Sequence, residues 1–146
     1  MHERLCIHPI CFPNVSLPQL AANWHQLQAP RVGLISSWVE GDGLDLLCDA
    51  SWTEAGLQQT IRRAAPRCHL VQVADYVYGD RSIPCRAVPG DGTIPVRRLI
   101  GDVLETGYDG AFDLELLGPR IDREGHLAAV SRSADYVGGI LQSLGV

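Results

Sequence analysis

The chain lacks any apolar run approaching the roughly 18 residues that a membrane helix requires. Its N-terminus carries a single Arg4 with no long apolar stretch behind it, so a secretory leader is not expected either. It also lacks a surplus of positive charge. The net charge of -5 and pI near 5.4 are the reverse of the basic patch that a general nucleic-acid binder displays. It lacks a disulfide framework, because the five cysteines (Cys6, Cys11, Cys48, Cys68 and Cys85) are odd in number and irregularly spaced. Cys6-x-His8-x-x-Cys11 comes nearest to a zinc site, but no second pair completes it, and buried thiols are expected instead. Finally, the Gly-Asp-Gly element matches neither GxGxxG nor the P-loop pattern, so no nucleotide-binding loop is expected. Together these absences describe a cytoplasmic protein with no membrane and no nucleic-acid partner.

What is present suits one ordinary globular domain: 146 residues, 46% of them hydrophobic and 20% charged. Short apolar runs alternate with segments of helical period. Leu5–Ile10, Arg31–Ser36, Leu44–Cys48, Leu70–Val73 and Ala111–Leu116 read as strands. Ser16-x-x-Gln19 and Ser51-x-x-Glu54 resemble capping boxes that open helices. Val96, Leu99, Ile100, Val103 and Leu104 make a helical stripe that begins after Pro95 and ends at Gly107. A last helix is expected from about Arg123 to Leu144, with Asp122 as its N-cap. This alternation implies an α/β protein with parallel strands. Two connections are irregular. Ala74–Thr93 is long for a compact domain, and such loops are often functional. Ser37–Gly43 is too short for a parallel crossover, which needs about a dozen residues or more.

The most informative stretch is Gly107–Arg120. Phe112, Leu114 and Leu116 alternate with Asp113 and Glu115, which sends the two sets to opposite faces of a strand. A carboxylate inside a strand core needs a partner or a metal, so Glu115 becomes the first candidate. The other polar residues expected at strand C-termini are His8, Ser36, Asp49, Gln72 and Asp75. Asp49, Gln72 and Glu115 would converge at one mouth if the strands curl into a barrel, and oxygen donors suit Mg²⁺ or Mn²⁺. The plainer alternative is that Asp49 caps a turn and Glu115 pairs with an arginine. Arg81 and Arg86, beside Pro89-Gly90-Asp91-Gly92, either clamp a phosphate or carboxylate or belong to a solvated loop with Asp80 and Asp91 as local partners.

The segment HLVQVADYVYGDRSIPCRAVPGDGTIPVRRLIGDVLETGYDGAFDLELLG resembles the last two βα units of the sugar phosphate isomerase/epimerase family, the xylose-isomerase-like TIM barrels related to type-IV AP endonucleases. The resemblance rests on a strand ending in Asp, then R-x-x-P-G-x-G-x-I, an amphipathic helix, G-Y-x-G and a strand carrying Glu. It extends back through DLLCDASWTEAG and more faintly to CIHPICFP. It implies an incomplete (β/α)8 barrel of about five parallel strands and four helices in one domain, where the complete barrel has eight strands and about 250 residues. Residues 1–36 would be the first βαβ and 44–146 the last three βα units, with the intervening units deleted at Ser37–Gly43.

The same resemblance implies a site. Asp49 and Glu115 match two of the family's metal ligands, Gln72 stands where the family has a ligating histidine, and the opposing glutamate has no counterpart. Trp52 occupies the histidine of Asp-x-x-His, and Arg86 matches an arginine that contacts substrate. His8, Trp52 and Arg86 are therefore assigned to substrate, and Glu115 to catalysis. Pro84 and Arg86 replace the extra metal pair of the endonuclease branch, which disfavours DNA repair. The implied cofactor is Mn²⁺ or Mg²⁺, with Zn²⁺ as a further option. The implied activity is metal-assisted proton transfer on a ketose- or polyol-type small molecule, weakened by loss of the second glutamate. The alternatives are a dehydratase of the same family and a non-catalytic remnant whose open strand edges lead it to form homo-oligomers.

Overall fold

A computed structural model describes residues 1–32, 54–82 and 84–146. Its centre is a parallel sheet of four strands: β1 (Leu5–Ile7), β2 (Arg31–Val32), β3 (Leu70–Val73) and β4 (Ala111–Leu114), in the spatial order β2-β1-β4-β3. The first strand of the chain thus pairs with the last. Leu5, Cys6 and Ile7 stand opposite Phe112, Asp113 and Leu114, and Val71, Gln72 and Val73 continue the same rows on β3.

This register lines up two kinds of face. Leu5, Ile7, Phe112 and Leu114, all fully buried, form the apolar face. They share one core with Val130, Ala134, Val137 and Leu141 of α5 (His126–Ser143). Three other helices complete the layer: α1 (Leu17–Leu27) and α3 (Val96–Leu104) against α5, and α2 (Glu54–Ala64) against α3. Cys6, Asp113 and Gln72 make up a row of the opposite face.

Local sequence explains most of these elements. Ser16 Oγ caps α1 by accepting the Gln19 N–H at 3.4 Å, as the capping-box spacing predicts. The reciprocal half of the box is not made, because the Gln19 side chain donates to Asn23 Oδ1 instead. In α3, Val96, Ile100 and Val103 are buried at helical spacing, and Gly107 takes the left-handed conformation (φ 81°) just beyond the helix. β1 is shorter than its apolar run, because His8 caps a 3-10 turn at Pro9–Cys11.

Two expectations are corrected. An incomplete barrel of about five strands and four helices does not form. The described residues make an open sheet of four strands with five helices. Strands lie only about 4.8 Å apart, so four of them are too narrow to curl round and meet, a closure that a parallel barrel reaches with eight. The single last helix is likewise two, α4 (Pro119–Glu124) and α5, divided at Gly125 (φ 93°). Gly118 starts α4, so Asp122 is not an N-cap. It lies 3.1 Å from His126 across the break. The expected strand Leu44–Cys48, the Ser51 cap and the Ser37–Gly43 junction lie outside the described residues. Among the described residues, no helix is long and apolar enough to cross a membrane.

Candidate functional site

The strand C-termini, where parallel α/β sheets place their ligands, all lie at one edge. Two features occupy that edge. The first is the long loop after β3. Asp75 and Ala87 close its base with reciprocal backbone hydrogen bonds of 3.0 and 2.8 Å. The Asp75 carboxyl, 1% exposed, then accepts four backbone N–H groups. Tyr76 and Ile94 donate to Oδ1 at 2.7 and 3.0 Å, and Gly90 and Gly92 to Oδ2 at 3.0 Å each. This explains the P-G-D-G pattern. A Cβ at position 92 would collide with Asp75 Oδ1 and the Tyr76 carbonyl, so the backbone closes on the carboxyl only with glycine there. The loop is therefore an anion cradle already filled by the chain's own side chain.

Two of the loop's carboxylates, Asp80 and Asp91, are also tied down, by distant partners rather than the local ones expected. Arg120 grips Asp80 through two hydrogen bonds, at 2.5 and 3.0 Å. Arg132 grips Asp91 through two at 2.7 Å and also holds Glu124. These guanidinium contacts hold the Asp80 and Asp91 carboxyls below the usual carboxylate range.

The second feature is the end of β4. The His8 N–H donates to the Leu114 carbonyl (3.3 Å) and the Glu115 N–H to the Val73 carbonyl (3.2 Å). These bonds place His8 and Glu115 side by side at the sheet edge. Arg86 reaches Glu115 through one contact, Nη2 to Oε2 at 3.4 Å, with the two side chains 47% and 19% exposed. Glu115 thus pairs with an arginine, as the plainer sequence reading expects, and that arginine is the one assigned to substrate. Its backbone is fixed, since the Arg86 N–H donates to the Leu117 carbonyl at 3.0 Å. The Ile10 N–H donates to His8 Nδ1 (3.2 Å), which leaves the proton of the neutral ring on Nε2.

The most deeply buried carboxyl on the polar face is Asp113 rather than Glu115. Asp113 is 0% exposed, and among the described residues neither oxygen has a partner within strict hydrogen-bond geometry. Cys6 and Gln72 flank it in register as weak donors. Desolvation raises its pKa, opposed chiefly by the nearby His8. The same alternation that singled out Glu115 contains Asp113. Its position two residues earlier, inside the strand rather than just past its end, is the signal that could have identified it.

Burial pushes the Cys6 and Cys11 thiols up to about 12, so neither is a ready thiolate. Cys11 Sγ is committed to the Leu114 carbonyl and the Leu116 N–H. The Cys6-His8-Cys11 spacing therefore does not gather a zinc site. Among the described residues, no three His, Cys, Asp or Glu side chains are placed to hold a metal ion. Gln72 is a neutral neighbour of Asp113, Glu115 is engaged by Arg86, and His8 Nδ1 accepts the Ile10 N–H. Asp49 and Trp52 lie outside the described residues. Without Asp49, Gln72 and Glu115 do not by themselves make a metal site. The structure thus brings Arg86 against Glu115 and ends the neighbouring strand at His8, with Gln72 two strands from His8. No family model, curated protein or solved structure matches the chain.

Proposed function

We propose that this protein is a sugar isomerase- or epimerase-like protein that moves a proton on a small hydroxycarbonyl substrate at the C-terminal edge of its sheet. The observation that carries this reading is the Arg86–Glu115 contact at that edge, with His8 at the end of the strand paired beside it. The resemblance of residues 69–118 to the sugar phosphate isomerase/epimerase family, from which these roles are taken, supports it. In this reading Glu115 takes the proton from the carbon beside the substrate carbonyl and returns it. Arg86 orients the substrate, and the His8 Nε2–H donates to the oxygen that gains charge as the proton leaves. One carboxylate serves both half-steps, so slow exchange is expected rather than fast turnover.

The test is solvent deuterium incorporation at the carbon beside the carbonyl, measured by NMR across ketoses and their phosphates. Glu115→Gln should lower the rate about 10²–10⁴-fold, the usual contribution of a positioned base. No exchange with any substrate, or exchange unchanged in Glu115→Gln, sinks the proposal.

A second reading is favoured by a different observation. β3 ends the sheet order among the described residues, and Leu70 on it is 41% exposed. Such an edge suits a non-catalytic module that pairs strand to strand with another copy. Sizing chromatography separates the readings, since this one requires a dimer or larger species.

A further inference from the structure

Three arginine–carboxylate contacts surround the loop, and they differ in kind. Arg120 and Arg132 meet Asp80 and Asp91 through paired short hydrogen bonds, the fork geometry that saturates a guanidinium face. Arg86 meets Glu115 through one contact at 3.4 Å, with nearly half its side chain open to solvent. Most of its donors are unused, and its backbone is anchored at both Arg86 and Ala87. The neighbouring amide cradle cannot serve an external anion, because Asp75 fills it.

We infer that Arg86 is a partner-exchange site: an oxyanion on the substrate takes the guanidinium fork and releases Glu115 for proton transfer. The ligand class is an anionic hydroxycarbonyl compound, bearing a phosphate or a carboxylate, rather than a neutral sugar. This deepens the proposed function and rests on Glu115 being its working carboxylate. The exchange is favourable because a single exposed contact is weak. A bidentate pair with the phosphate or carboxylate oxyanion replaces it. No bond is made or broken in the exchange, so it can be read without turnover.

The experiment titrates the full chain at low ionic strength with inorganic phosphate and, separately, with acetate. Heteronuclear NMR follows the arginine Nε–H groups; all 12 basic residues of the chain are arginine. Saturable perturbation of the Arg86 resonance is expected, and its loss in Arg86→Gln. Glu115→Gln should tighten binding about two- to five-fold, because it removes the internal competitor. Glu115→Asp, whose shorter side chain withdraws from Arg86, should act in the same direction if the first variant does not fold. Arg123→Gln, which alters an exposed arginine near Asp80, should leave the response intact. Tighter phosphate than acetate assigns a phosphoryl group, and the reverse a carboxylate. No saturable response, a response that survives Arg86→Gln, or unchanged or weaker binding without the Glu115 carboxylate overturns the inference. If anions bind as expected but no substrate exchanges deuterium, the proposed function fails while the anion site stands. If deuterium exchanges but anions do not bind, the reverse holds.

Discussion

Asp75 and Glu115 follow neighbouring strands at the same edge of the sheet, yet their surroundings are opposite. Asp75 is enclosed by four backbone N–H groups, and the loop that supplies them is pinned again at Asp80 and Asp91. Glu115 has one stretched contact to a half-exposed arginine. The first arrangement resists change, because every donor has an acceptor and removing one leaves buried groups unpaired. The second gains nothing from staying as it is. A rigid loop carrying one loosely held cation is a workable design for binding, since the backbone is positioned in advance and only a side chain has to move.

Mutations can break or sharpen this contrast. The largest effect is expected at Asp75→Ala, which strands four N–H groups and should cost about 3–5 kcal/mol in urea denaturation. Amide exchange should speed up across residues 76–94 in the same variant. A loss under 1 kcal/mol would show that the cradle does not hold the loop.

Next is Asp113→Asn. The folded-state pKa of Asp113 is raised, so the native fold prefers the proton. Its stability is therefore lost as pH rises from the ordinary value of 3.8 through the raised one. The variant should be more stable than wild type at neutral pH by about 1–3 kcal/mol, with the gain vanishing below that window. Thermal melts across pH settle the sign.

Arg132→Gln should cost about 1 kcal/mol or less, given the exposure of its partners. The pKa of Asp91 is lowered, so this contribution is present above the ordinary carboxylate value and disappears as pH falls through the lowered one. The smallest effect belongs to Arg86→Gln, expected to change stability by less than about 0.5 kcal/mol. A larger loss would place Arg86 with the structural arginines and remove the contrast.

Much of the fold was legible because its signals are local. Ser16 before an apolar stripe, Pro95 and Gly107 around another, and the alternation in Ala111–Leu114 each declare an element within a few residues. Gly125 was less legible: the helical pattern runs through it, and only the backbone shows that the chain turns there. Closure of the sheet was not legible at all, since it depends on how many strands meet in space. The site was half legible. Glu115 and Arg86 stood out separately, but their contact spans 29 positions. Asp80 and Asp91 have partners 40 and 41 positions away, which no local pattern encodes. Asp113 shared the alternation that drew attention to Glu115, but the resemblance pointed to Glu115, and the full burial of Asp113 shows only in the fold.

The pairing of β1 with β4 has a consequence for how the chain is made. Bonds such as Cys11 Sγ to Leu114 and Arg4 to Gly110 join residues 103 and 106 positions apart. During synthesis β1 emerges first and can meet β2 early. Its central neighbour does not exist until more than 100 residues have followed. Until then Leu5 and Ile7, fully buried at the end, remain without the β4 neighbours that cover them. Folding should therefore complete late, once β4 clears the ribosome.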